Sequence, residues 1–170
     1  GGLEVGANLI LENLLITGNS ASTGGGINIF DGFHADITNC TIANNTAIGG
    51  GVYVRYDGSS NIKNSIIVDN NNQERIKAEI WLEDEGKVSI NHSLIENGIE
   101  GIYEEDIEQY TWGSENIQSK PLFIDASKDD YRLSNYSPAI GSGTSDGAPA
   151  TDINGVTRPT PNSTSPDMGA

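Results

Sequence analysis

The side chains best suited to do chemistry are Asn28, Tyr53, Trp81, Arg55 and Glu83. Asn28, Tyr53 and Trp81 each stand just before the aliphatic residue that closes a short apolar strand: Ile29, Val54 and Leu82. Arg55 and Glu83 lie two places further along the same strands. Side chains alternate across a strand, so both rows are expected to point away from the apolar face. Flat rings stack on the C–H faces of sugars, and amide, guanidinium and carboxylate groups take the hydroxyls. Together they would make a carbohydrate-binding strip. Arg55 is also the best-placed base for abstracting a proton next to a uronate carboxylate, a reaction that calls for a cation as well. Glu83, Asp84 and Asp57, with Glu79 and Asp31 nearby, are the carboxylates that could hold Ca²⁺. Plainer readings compete. Arg55 and Glu83 on adjacent turns fit a cross-strand ion pair. The aromatics could simply cover the sheet or pack under a loop such as 98–116. A glycosidase needs two carboxylates straddling one bond, and the pair Glu83 and Asp57 is no more than any acidic coil offers. His34, in the loop after Gly32, and His92, in a turn row, fall on different turns and sides and do not read as a site. Cys40 is expected in a small, partly buried niche with no catalytic role.

What positions these residues is a repeat. Gly24-Gly25-Gly26-Ile27-Asn28-Ile29 returns as Gly49-Gly50-Gly51-Val52-Tyr53-Val54, 25 residues later. A second strand follows each, and asparagine stands at its first and seventh places: Asn13 and Asn19, Asn39 and Asn45, Asn64 and Asn70. His92 opens a fourth, shorter unit. Two residues before these anchors stand Leu11, Ile37, Ile62 and Ile90; three residues after them stand Ile16, Ile42, Ile67 and Ile95. Aliphatic residues at matching places on successive turns would stack into one continuous core. Short β-branched strands between Gly and Asn turns argue for β structure. A period of ~25 residues fits a parallel β-helix with three short strands per turn, its turns stacked about 4.8 Å apart. A vertical row of Asn suits one corner, because Asn tolerates a left-handed backbone and can hydrogen-bond to the next amide in the row.

Composition removes several function classes. Asp and Glu number 24 against 9 Lys and Arg, a formal charge of −15. That argues against nucleic acid, which needs a basic patch, and against docking on an anionic membrane. No apolar run approaches the ~18 residues of a membrane span. One cysteine allows no intramolecular disulfide and no Cys-based metal site. The chain opens in mid-pattern at Gly1-Gly2-Leu3-Glu4-Val5 and is expected to be part of a longer chain, so the lack of a leader pattern at Gly1 says nothing about secretion.

After Asn97 the pattern fades. Residues 98–116 hold Glu100, Glu104, Glu105, Asp106 and Glu108 among Tyr103, Tyr110 and Trp112, and are expected to form an acidic loop that leaves the coil. Residues 144–170, with four of the six prolines, are expected to cap the end of the coil. The glycine-led strands, Asn64-Ser65-Ile66-Ile67, Ala78-Glu79-Ile80-Trp81, Pro121-Leu122-Phe123, Asp130-Tyr131-Arg132-Leu133, Ser137-Pro138-Ala139-Ile140 and Asp152-Ile153-Asn154-Gly155 resemble bacterial surface proteins with pectate-lyase-like right-handed parallel β-helices, of the type labelled "choice-of-anchor Q". The resemblance covers nearly the whole chain. It implies a secreted or surface-displayed bacterial protein, with further turns before Gly1 and a secretion or anchoring segment after Ala170. It also implies that the row of Asn28, Tyr53 and Trp81 lies on the sheet where pectate-lyase-like enzymes hold substrate. The family carries no agreed catalytic motif, so it transfers no active site.

The expectation is an all-β, right-handed parallel β-helix of roughly six rungs over 1–143, with an irregular capping tail over 144–170. Its expected role is a monomeric, non-catalytic, extracellular module that binds polysaccharide or cell-surface glycan. The alternative is a polysaccharide lyase, or part of one, with Arg55 as base. No cofactor is expected in the first reading; Ca²⁺ belongs to the second.

Overall fold

The computed structural model describes residues 1–72, 78–106, 109–159 and 164–170. The first turn of the coil is β1 (Leu3–Val5), β2 (Leu9–Glu12), β3 (Leu15–Thr17) and β4 (Ser20–Thr23). The second is β5 (Ile27–Ile29), β6 (His34–Thr38), β7 (Thr41–Ala43) and β8 (Thr46–Ile48). The third is β9 (Val52–Val54), β10 (Ser59–Lys63), β11 (Ile66–Val68) and β12 (Asn71–Asn72). The fourth is β13 (Ile80–Leu82), β14 (Lys87–Asn91) and β15 (Leu94–Ile95), and β16 (Ile102–Glu104) and β17 (Tyr110–Trp112) begin a fifth. Corresponding strands stack in parallel into a first sheet β1-β5-β9-β13-β16, a second β2-β6-β10-β14-β17, a third β3-β7-β11-β15 and a fourth β4-β8-β12. The coil is therefore a parallel β-solenoid of about four turns, shorter than the six rungs expected. Its first three turns carry four strands each instead of three.

The core columns pair as the repeat requires. Leu11, Ile37, Ile62 and Ile90 stand in register on the second sheet. Ile16, Ile42, Ile67 and Ile95 do so on the third. Ile27, Val52 and Ile80, with Ile29, Val54 and Leu82, line the inside of the first. All but Leu11 and Ile16 are essentially sealed from solvent. Burying one such side chain contributes about 1.5–3 kcal/mol relative to leaving it exposed. The triple glycines let turns approach at the entry to the first sheet, where a Cβ on Gly26 would collide with the Gly51 carbonyl oxygen.

Two asparagine rows mark the corners. The outer anchors Asn13, Asn39 and Asn64 have φ of 54, 50 and 51°, and His92 follows at 47°, the left-handed geometry expected of that corner. The inner row is a hydrogen-bonded ladder. The Asn19 N–H and Nδ2 both donate to Asn45 Oδ1 at 3.0 Å, and those of Asn45 both donate to Asn70 Oδ1 at 3.0 Å. Asn70 passes the same pair of bonds to Glu79 Oε2, at 3.1 Å from N and 2.7 Å from Nδ2. Cys40, next to the outer anchor Asn39, is fully buried in the core. Its thiol donates to the Leu11 and Thr38 carbonyls at 3.4 Å, and burial pushes its pKa up to about 11, so it remains a thiol.

The chain after β17 departs from both expectations. Residues 98–116 do not form one loop outside the coil, because β16 and β17 pair with β13 and β14; Glu108 lies outside the described residues. Beyond them, β18 (Phe123–Asp125) and β19 (Asp130–Leu133) make an antiparallel hairpin. The C-terminal segment runs back along the flank and binds the outer asparagine row. Asn13 Nδ2 donates to the Thr151 carbonyl (2.8 Å), Asn39 Nδ2 to those of Asp167 (3.0 Å) and Gly169 (3.2 Å), and Asn64 Nδ2 to that of Thr144 (2.7 Å). The cause is the third sheet, whose strands are apolar on both faces. Its outward residues Ala43, Ile66, Val68 and Leu94 form a second core with Ala139 and Met168, against which Phe123, Tyr131 and Leu133 pack.

Candidate functional site

Parallel register on the first sheet builds one row across five strands: Glu4, Asn28, Tyr53, Trp81 and Tyr103. As the alternation requires, none of these side chains belongs to the coil's core. They do not, however, form the exposed platform expected of them. Asn28 is only 8% exposed, Tyr53 3% and Trp81 5%. Tyr53, Trp81 and Ala78 make a separate apolar cluster, flanked by Ile48 and Tyr103. The Trp81 and Tyr103 ring centroids are 4.0 Å apart, with the planes inclined at 38°. The glycine turn closes the other side: at Gly49 (φ +64°) a Cβ would lie 2.7 Å from Tyr53 Cβ. Bulky rings on successive turns bury one another, so the row seals the sheet.

The next row outward is partly open. The Tyr53 hydroxyl donates to a carboxylate oxygen of Glu83. Burial, and then that carboxylate, hold the phenol well above its ordinary pKa, so it stays a donor. Arg55 makes no ion pair with Glu83. Its guanidinium carbon instead lies 5.0 Å from the centre of the Tyr53 ring and 4.9 Å from that of Tyr56. Arg55 Nε and Asn28 Oδ1 are buried without a hydrogen-bond partner. Both residues line a polar cleft of about 320 Å³ with Leu3, Glu4, Ser22 and Thr23, and the exposed Tyr56 ring stands beside it at 47% exposure. The structure thus brings together Asn28, Arg55 and Glu4, and links Tyr53 to Glu83. Trp81 is left to packing.

The carboxylates considered for Ca²⁺ are not gathered. Asp31, Asp57 and Asp84 occupy turn positions with φ of 54, 59 and 47°. The Asp57 N–H donates to the Asp84 carbonyl at 3.0 Å. Glu79 is turned inward as the end of the asparagine ladder, where burial pushes its pKa up to about 8. Among the described residues no group of three or more His, Cys, Asp or Glu could hold a metal ion. A second cavity of about 320 Å³ lies on the flank, beside Tyr131, Leu133, Ile140, Val156, Arg158 and Met168. There the Arg158 guanidinium is spent on the fold, donating to Asn13 Oδ1 and to the Asp167 and Gly169 carbonyls. Among the described residues no helix is long and apolar enough to cross a membrane.

One group escaped sequence reasoning. His34 opens strand β6 instead of lying in a loop, and it meets Ser59 and Asp36 on the second sheet. The signal was available: Ser59 lies one 25-residue period after His34, and Asp36 lies two places along the same strand.

The family model described as right handed beta helix region matches residues 2–120. No curated protein and no solved structure matches the chain.

Proposed function

The chain belongs to the right-handed β-helix family, and from that premise we propose that it is a module of a secreted or surface-displayed bacterial protein whose first sheet binds polysaccharide or cell-surface glycan without cleaving it. The observation that carries this reading is Arg55. A guanidinium stacked on Tyr53 and Tyr56, with no carboxylate partner among the described residues, is held ready for a ligand. Cation–π contacts of this kind are worth about 0.5–1 kcal/mol each at exposed sites and lower the ordering cost of binding. Asn28 and Glu4 line the same cleft and supply further partners for hydroxyls, and the open face of Tyr56 offers stacking area. With a formal charge of −15 on the chain, the favoured ligand is a neutral glycan, or one whose few acidic groups meet Arg55. Tyr53 supports the Arg55 guanidinium with the face of its ring.

Retention on a glycan array tests the reading. Wild type is expected to be held by at least one glycan, and Tyr56→Ala to lower that retention about tenfold, the loss of one stacking contact. Failure of wild type to bind any glycan overturns the proposal. The lyase alternative, with Arg55 as base and Ca²⁺ as cation, gives a different signal. An unsaturated uronate absorbance would appear when pectin, alginate or glycosaminoglycan is added with Ca²⁺. The binding reading predicts a flat trace.

A further inference from the structure

The second sheet carries a set of side chains whose hydrogen bonds fix one another's roles. His34 Nε2 lies 3.1 Å from Asp36 Oδ1, and His34 Nδ1 lies 2.8 Å from Ser59 Oγ. Asn61 Nδ2 donates to the same Asp36 oxygen at 2.8 Å. This bond, together with His34, holds the Asp36 carboxyl below its usual range, so it is ionised at neutral pH. Asn61 Nδ2 also lies 3.2 Å from His34 Nε2, but its shorter bond goes to Asp36 Oδ1; a carboxylate can only accept, so facing Asp36 the proton of the neutral imidazole belongs on Nε2. Nδ1 is then an acceptor, and the Ser59 hydroxyl must donate to it. The backbone locks the geometry, because His34 pairs in register with Ser59, and Asp36 with Asn61. His34 and Asp36 remain 33% and 44% exposed, so the group is open to a ligand.

We propose that Ser59, His34 and Asp36 form a nucleophile, a base and a positioning residue that hydrolyse accessible carboxylic esters. Ser59 Oγ attacks the ester carbonyl carbon while His34 Nδ1 takes the hydroxyl proton. The C–O bond to the leaving alcohol breaks, and His34 returns the proton to that oxygen. Water, deprotonated by the same nitrogen, then attacks the acyl-Ser59 carbonyl; the bond from that carbon to Ser59 Oγ breaks, His34 returns the proton to Oγ, and the carboxylic acid leaves. Asp36 acts through His34 by fixing its tautomer and stabilising the imidazolium. Lys87, the in-register neighbour of Ser59 on β14 and exposed, provides a cation for the negative charge on the carbonyl oxygen. The face is an open sheet, not a pocket, which suits an ester that projects from a polymer over a small free one. This inference is independent of the glycan-binding cleft, which lies on the first sheet.

A fluorophosphonate probe with mass-spectrometric mapping, combined with p-nitrophenyl acetate hydrolysis, tests it. Wild type is expected to be labelled at Ser59. Ser59→Ala and His34→Phe should lose the label and lower kcat at least tenfold. Asp36→Asn should lower kcat with KM unchanged, and Asp36→Glu should recover part of the loss, which a merely structural role would not produce. Ser89→Ala, on the same face, should behave as wild type. Absence of label at Ser59 in the folded wild type overturns the proposal without recourse to any variant. So does hydrolysis by Ser59→Ala at the wild-type rate.

Discussion

The coil and its flank are held by different means. In the coil every stabilising group has a counterpart one turn away. Ile42 lies in register between Ile16 and Ile67, and Asn45 accepts from Asn19 and donates to Asn70. In the flank the outer asparagines reach different, unrelated carbonyls, and the other contacts occur once. Phe123 packs on Tyr131, the Asn39 amide holds two tail carbonyls, and Arg158 ties Asn13 to Gly169. A column shares any loss with its neighbours above and below, so damage to the coil should be global. The flank has no columns, and damage there should release a segment.

The largest expected effect is in the coil. Ile42→Ala opens a cavity in the middle of a column and should cost about 2–5 kcal/mol, read as a lower urea midpoint with one cooperative transition. A loss confined to the third sheet would break the comparison. The end of the inner ladder should respond to pH. Burial pushes the pKa of the Glu79 carboxyl from the ordinary 4.5 up to about 8 in the folded state. Between those values the folded protein holds a proton that the unfolded chain has released. Stability should therefore be greatest below about pH 4.5, as far as this group is concerned, and fall as pH rises towards 8, by an amount on the order of a few kcal/mol. Glu79→Gln keeps an acceptor for Asn70 and should flatten that slope in thermal melts taken from pH 5 to 8.

Smaller effects belong to the flank. Asn39→Ala removes the amide that holds Asp167 and Gly169 and places alanine at φ 50°. About 1–3 kcal/mol should be lost. Limited proteolysis should then cut within 144–170 while the β signal in circular dichroism persists. Unfolding of the coil at the same denaturant concentration as the release of the flank would show the two to be one unit. Arg132→Gln, at an exposed pair with Asp130, should leave the midpoint unchanged.

The same contrast explains what could be read from the sequence. The core columns and the outer asparagine corner were legible because repetition gives several independent views of each position, and one consistent register satisfies them all. The outward row of Asn28, Tyr53 and Trp81 was legible as a row, but its exposure was not. Alternation says which way a side chain points and nothing about what lies over it. The flank was misread because its cause lies elsewhere in the chain. Ile42-Ala43 and Ile66-Ile67-Val68 are apolar on both faces and require a cover, which the hairpin residues Phe123, Tyr131 and Leu133, with Ala139 and Met168, supply. Ser59, His34 and Asp36 do not stand out in the sequence because their contact crosses one 25-residue period and neither His34 nor Asp36 repeats on the neighbouring strands.

Arg55 offers the most direct measurement of the functional account. Arg55→Met keeps most of the apolar stem over Tyr53 and Tyr56 and removes the charge from the cleft, so the protein should still fold. On a glycan array, wild type should be retained and Arg55→Met should lose at least tenfold, about 1.4 kcal/mol, with the fold kept and stability lowered by no more than the ~1–2 kcal/mol of the two ring contacts. Equal retention of the two proteins on every glycan that holds the wild type would contradict the account.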